Sequence, residues 1–192
     1  MGREFELKYR ATEEILTAVA EKYGDFTPIS METTYFDTPD GALAARHITL
    51  RRRMENGASV CTVKTPLPDG SRGEWEISWN QPETMVAQLC AAGAPEELSE
   101  LTKDGIVPVC GAKFTRLATA IELPGSEVEL ALDRGVLTGG GREIPLCELE
   151  VELKSGADAP AAAFAEAIAA EFGLHPESES KFRRAQKLAK GE

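Results

Sequence analysis

Eight stretches of this chain alternate in polarity with a period of two, at residues 3–9, 32–37, 48–53, 59–64, 73–79, 113–123, 127–133 and 146–154. No other feature restricts the fold as strongly, because alternation sends successive side chains to opposite faces of an extended backbone. Turn chemistry separates several of these stretches: ENGAS (55–59), LPDGSR (67–72), LPGSE (123–127) and LTGGGRE (137–143) read as hairpin connections. Eight antiparallel strands are enough to close into a barrel and so remove their edges.

Helical patterns fall between and after the strands. TEEILTAVAEKYG (12–24) has Thr12 as an N-cap and Gly24 as a stop. PEELSEL (95–101) and DAPAAAFAEAIAAEFG (158–173) read as helices too, the second with Asp158 as cap and Pro160 in its first turn. A last helix runs from about Ser180 to Lys190. No repeat and no long linker divides the chain, so one domain over residues 1–192 is the simplest organisation. Gly93 and Pro95 mark the one place where a hinge would fit.

Composition bears on partners. A net charge of −11 argues against nucleic acid or an anionic membrane, both of which reward a basic face. No apolar run approaches the length of a membrane span, and the N-terminus lacks the pattern of a secretory signal, so the expected compartment is the cytoplasm. Cys61, Cys90, Cys110 and Cys147 are scattered without a Cys-x-x-Cys pair and read as reduced thiols. The sequence leaves the oligomeric state open, a homodimer included.

The charges of the strands share one parity. EFELK (4–8) places Glu4, Glu6 and Lys8 on one face and Phe5 and Leu7 on the other, and CELEVELK (147–154) does the same with Glu148, Glu150 and Glu152. Arg51 and Arg53, Lys64, Glu74 and Glu76, Lys113 or Arg116, and Glu129 and Asp133 continue the pattern around the sheet. In an ordinary antiparallel sheet such faces are wet. In a helix-covered barrel they would line a polar lumen, tolerable because both signs are present and able to balance. Such a lining suits phosphates with a divalent metal: guanidinium forks bind phosphate oxygens and carboxylates hold a hard cation. Trp75 and Arg52, on the opposite parity, are expected to point outward, and His47 and His175 have no partner motif. Gly139–Gly141 lacks the Lys-Ser/Thr of a phosphate loop and reads as a hairpin.

EFELK resembles the E-x-E-x-K start of the CYTH superfamily, the triphosphate tunnel metalloenzymes. YFDTPDGALAARHITLRRR, TVKTP, RGEWE, KFTR, ALDRG, CELEVELKSG and SESKFRRA resemble its later blocks, in order and over nearly the whole chain. The likeness implies an α+β fold: an eight-stranded antiparallel β-barrel (tunnel) with a polar lumen, covered outside by α-helices. It also implies a linear or nucleoside triphosphate ligand with Mg²⁺ or Mn²⁺, and the order of blocks is similar to the bacterial inorganic triphosphatase branch.

On that resemblance Arg51, Arg53, Lys64, Arg116 and Lys181 would cradle phosphate oxygens. Glu4, Glu6, Asp133, Glu148, Glu150 and Glu152 would hold metal, with Glu74, Glu76 and Glu129 as supporting acids. Lys8 would bind phosphate or activate water, and Glu4 and Glu6 stand beside it in the catalytic set. The expected reaction is metal-dependent hydrolysis of tripolyphosphate to pyrophosphate and phosphate. Adenylyl cyclase, thiamine triphosphatase, or a noncatalytic polyphosphate- or nucleotide-binding module are the alternatives. A carrier of apolar ligands would need an apolar lumen, contrary to the charged parity.

Overall fold

The fold is seen in a computed structural model that describes residues 5–67 and 72–192. Its sheet is built from β1 (Glu6–Arg10), β2 (Thr27–Asp37), β3 (Thr49–Glu55), β4 (Ala58–Pro66), β5 (Arg72–Ser78), β6 (Val107–Leu123), β7 (Ser126–Gly139), β8 (Arg142–Gly156) and the two-residue β9 (His175–Pro176). Neighbouring strands are antiparallel, in the order β5-β4-β3-β2-β6-β7-β8-β1-β9. Asn56 and Gly57, both at positive φ, make the tight turn between β3 and β4 that ENGAS predicts.

The expected closed eight-stranded barrel does not form. Among the described residues the sheet has nine strands and stays open, with β5 at one edge and β9 at the other. Closure would require β5 to bond β1, but the free side of β1 is taken by β9, through Tyr9↔Pro176 and Arg10↔His175. Proline donates no N–H, so the β9 edge is a poor place to add another strand. The two-residue β9 carries no alternation, so the sequence pattern does not reveal it.

The sheet nevertheless curls, bringing side chains of β1 through β8 around one cavity. The apolar parity faces away from that cavity and is covered on both flanks. On one flank, Leu16 and Val19 of α1 (Glu13–Tyr23) and Ala161, Ala165 and Ile168 of α5 (Asp158–Phe172) pack on Leu130, Leu132, Leu149 and Val151. Each fully buried leucine of this kind contributes roughly 1.5–3 kcal/mol. Phe5 and Leu7 pack against the same cluster. On the other flank α2 (Ala42–Ala45), α3 (Pro82–Ala91) and α4 (Glu97–Leu101) supply Leu43, Met85, Leu89 and Leu98, which cover Leu50, Cys61 and Val63 with Trp75 beside them. α1 is capped by Thr12 as predicted, whereas Asp158 is the first residue of α5 and Ala157 its cap.

The helices are not all outside, which is a second departure from the expected cover. α6 (Lys181–Lys190) lies on the concave face, where Ala185 packs among Ala112, Phe114, Leu137 and Leu146. Gly139 and Gly140 make the approach possible, because a Cβ at Gly139 would come within 2.5 Å of the Ala185 carbonyl oxygen and one at Gly140 within 2.8 Å of that of Ala189. Among the described residues no helix is long and apolar enough to cross a membrane.

Candidate functional site

The cavity of about 660 Å³ is walled by the charged parity. Glu6 and Lys8 enter from β1, Arg51 and Arg53 from β3, Lys64 from β4, Glu74 and Glu76 from β5, Arg116 from β6, Glu129 from β7, Glu150 and Glu152 from β8, and Lys181 from the start of α6. Asp133 and Glu148 belong to the same face but lie deeper, fully buried. Glu4 lies outside the described residues. Glu55, Arg72 and Lys154 also line the cavity. Each sits two residues beyond a predicted member on the same strand, so extending the parity rule would have found them.

One wall is cationic and incompletely paired. Arg51 lies 3.9 Å from Glu74, Lys64 3.5 Å from the same carboxylate, and Arg53 is paired with Glu55. The Nε atoms of Arg51 and Arg53 are buried with no hydrogen-bond partner among the described residues. Burial first, and then the neighbouring Arg51, push the Arg53 pKa below its ordinary value. A pair of crowded guanidiniums with unused donors is a site suited to a polyanion.

The opposite wall is carboxylate-rich. Glu6 and Glu152 face each other across β1 and β8, Glu152 and Glu129 across β8 and β7, so three acids stand in a row. Lys154 bridges part of the row, at 3.0 Å from Glu152 and 4.0 Å from Glu129, and Lys8 lies 3.9 Å from Glu6.

Beneath this row Asp133, Glu148 and Glu150 present oxygens within 4.8 Å of one another. Three carboxylates at that spacing form a hard-oxygen donor set able to chelate a divalent cation. Their charges are nevertheless compensated by side chains. Arg116 donates from Nε and Nη2 to Asp133 at 2.8 Å each and also bonds Glu150. Lys181 Nζ lies 2.9 Å from Asp133 and 2.5 Å from Glu150 and bonds Glu148, which is also held by Arg184. Burial pushes the Glu150 carboxyl up, but Lys181 and Arg116 overcome it and hold the pKa well below the usual carboxylate range. Burial likewise disfavours the Lys181 ammonium, and Glu150 and Asp133 reverse the sign and raise its pKa.

Local structure explains how Lys181 reaches the triad. Ser180 Oγ accepts from Arg183 N, which fixes the first turn of α6 and aims Lys181 at the sheet. Arg184, at i+3, falls on the same helix face. The i, i+3 spacing within SKFRR is the signal in the sequence that points to Arg184 beside Lys181. Of the residues expected to be idle, Arg52 is not among those lining the cavity and Trp75 packs under α3 and α4.

Comparison with known proteins returns one family model, the CYTH domain, matching residues 2–185. An inorganic triphosphatase of Haemophilus influenzae is 31% identical over 194 residues, covering 96% of this chain and 54% of the relative. The chain therefore spans about half the length of that curated relative. Two solved structures share the fold. A candidate adenylate cyclase from Bacillus halodurans matches with a TM-score of 0.63 at 21% identity, covering 96% of this chain and 98% of the other. A candidate adenylyl cyclase from Hippeastrum, described with a dominant triphosphatase activity, matches at 0.65 and 19% identity, covering 98% and 96%.

Proposed function

This chain belongs to the CYTH domain family, and on that premise we propose that it hydrolyses inorganic triphosphate with Mg²⁺ or Mn²⁺ as cofactor. The observation that carries the reading is the pairing of walls in one cavity: Arg51, Arg53 and Lys64 on one side, Glu6, Glu150 and Glu152 on the other. A triphosphate lying between them would meet cations along its oxygens and acids on the far side able to hold a metal–phosphate complex.

In this proposal Arg51, Arg53, Lys64 and Arg116 bind and orient the phosphates. Arg116 has Nε and Nη2 on Asp133, so its guanidinium is held in place and would meet phosphate through Nη1. Asp133, Glu148 and Glu150, whose oxygens lie within 4.8 Å of one another, would hold the divalent cation, with Glu4, Glu6 and Glu152 as the remaining candidate ligands. Bound there, the cation supplies charge neutralisation and a more acidic water. Lys8, beside Glu6, positions the water or an outer phosphate oxygen. Water adds to a terminal phosphorus, the P–O bond to the bridging oxygen breaks, and pyrophosphate and phosphate leave. Glu74, Glu76 and Glu129 orient the cationic side chains. The four free cysteines fit the reducing cytoplasm.

A nucleoside triphosphate is the second reading, favoured by the apolar strip of Ile29, Met31 and Phe114 that continues the cavity beside Arg116. Phosphate release from tripolyphosphate, ATP and thiamine triphosphate, with Mg²⁺, Mn²⁺ or EDTA, tests both. Metal-dependent release fastest from tripolyphosphate is expected, and no release from any of the three would refute the proposal.

A further inference from the structure

The triad of Asp133, Glu148 and Glu150 has the oxygens of a cation site, yet α6 places an ammonium among them. Lys181 Nζ contacts all three carboxylates, at 2.9 Å from Asp133 and 2.5 Å from Glu150. Arg116 occupies the side of Asp133 and Glu150 nearest β6, and Arg184 occupies Glu148. Each of the three carboxylates thus meets at least one side-chain cation without any bound ion, while Glu129 lies 3.8 Å from Arg116 and Glu177 3.6 Å from Arg184 at the edge of the cluster.

A divalent cation bonds carboxylate oxygens at about 2.0–2.6 Å. Among oxygens within 4.8 Å of one another it would have to stand between them, where Nζ stands. An ammonium and a divalent ion cannot share that position, because they repel at short range in a low dielectric. One of the three resident cations would have to leave. Arg116 is gripped by two parallel bonds to Asp133 and sits mid-strand between β2 and β7. Lys181 is a single point charge on the first residue of α6, and the helix keeps other anchors without it: Phe182 against Tyr35, with ring centroids 5.1 Å apart, Arg184 on Glu148, Ala185 and the Gly139–Gly140 contact.

We propose that Lys181 is an exchangeable counter-ion of the triad: its ammonium and a divalent cation compete for the same oxygens, so metal loading there loosens the hold of the triad on the first turn of α6. Once displaced, Lys181 remains at the cavity wall, beside Phe182 and Ser180, where an anionic ligand can take it up. Phosphate binding would then favour metal binding, and by linkage metal would favour phosphate by the same factor. This deepens and rests on the metal-dependent reading above.

Mn²⁺ alone is the probe, titrated calorimetrically into the full chain without phosphate. K181M is expected to bind Mn²⁺ at least tenfold more tightly than the wild type, and D133N added to K181M to remove the gain. Equal affinity in wild type and K181M, within twofold, overturns the exchange and leaves the triad a permanent ion-pair cluster. Should K181M fail to fold, K181Q is read in the same way. Hydrogen exchange of the wild type gives a second measurement: at saturating Mn²⁺, faster exchange at amides 182–185 supports the exchange, and unchanged exchange with Mn²⁺ bound at the triad overturns it. Tripolyphosphate hydrolysis on the same samples separates the two ideas. Turnover without a Mn²⁺ gain in K181M sinks the exchange alone. A tenfold gain with no turnover of any triphosphate supports the exchange and sinks the assigned activity.

Discussion

Two arginines of the same cavity should respond differently to removal. Arg116 is bound to Asp133 and Glu150 and nearly buried, so R116A leaves buried carboxylates with one cation fewer. Breaking such a pair from one side costs about 3–5 kcal/mol, a loss that urea unfolding should show; R116K, which keeps charge without the fork, should lose less. Arg51 is crowded by Arg53 and its Nε has no partner among the described residues. R51A should therefore change stability by less than about 1 kcal/mol while tripolyphosphate affinity falls at least tenfold. Loss of stability without loss of affinity in R51A would remove it from the phosphate cradle. Glu177 is not among the residues lining the cavity. It accepts from Arg10 at 2.7 Å and from Glu179 N at 2.8 Å. Burial raises its pKa, but these hydrogen bonds and Arg10 outweigh it and leave the pKa below the ordinary 4.5. A depressed folded-state pKa contributes stability above the unfolded value that is lost as pH falls through the folded one. E177Q should therefore lose stability at neutral pH and show a shallower decline than wild type below about pH 4.5.

At the scale of elements, α6 is the piece on which the site depends, and two glycines of β7 and its turn admit it. G139A would drive a methyl group into the Ala185 carbonyl at 2.5 Å and the Ala189 amide at 2.8 Å. The expected cost is about 1–3 kcal/mol, as for other overpacked contacts, with faster hydrogen exchange across α6 and lower hydrolysis because Lys181 and Arg184 shift together. Unchanged exchange in α6 would show that the helix does not need this approach. Gly139–Gly141, which includes both, reads in the sequence only as a flexible hairpin, since nothing local announces a helix that arrives from some forty residues later. The strands were legible for the converse reason. Period two is a local property, and it correctly separated Glu6 and Lys8 from Phe5 and Leu7. The charged parity extends to Asp133 and Glu148, which it placed on the right face without revealing that they are sealed under Lys181.

For the molecule as a whole, closure is the property that alternation could not convey. Parity tells which face a residue takes; which edges pair depends on β9, which is short and aperiodic, so the barrel expected from eight strands is an open curled sheet. The two flanks of that sheet carry opposite demands: crowded cations on β3 and β4, and a row of acids on β1, β7 and β8. They face one another across about 660 Å³. A triphosphate with its metal would tie the flanks together, whereas either component alone satisfies one flank. Thermal melting should therefore rise little with Mg²⁺ alone or tripolyphosphate alone, and by more than the sum when both are present. A ligand at one hundred times its Kd stabilises by about 2.7 kcal/mol, and a chain of this size shifts its Tm by roughly 2–4 °C per kcal/mol, so an increase of roughly 5–11 °C is expected. Chloride at 1 M shortens the screening length to about 3 Å, so the exposed cationic wall should lose affinity there while the buried Arg116–Asp133 pair keeps its contribution to the unliganded Tm. If the two components shift Tm independently and additively, the flanks do not act through one shared ligand.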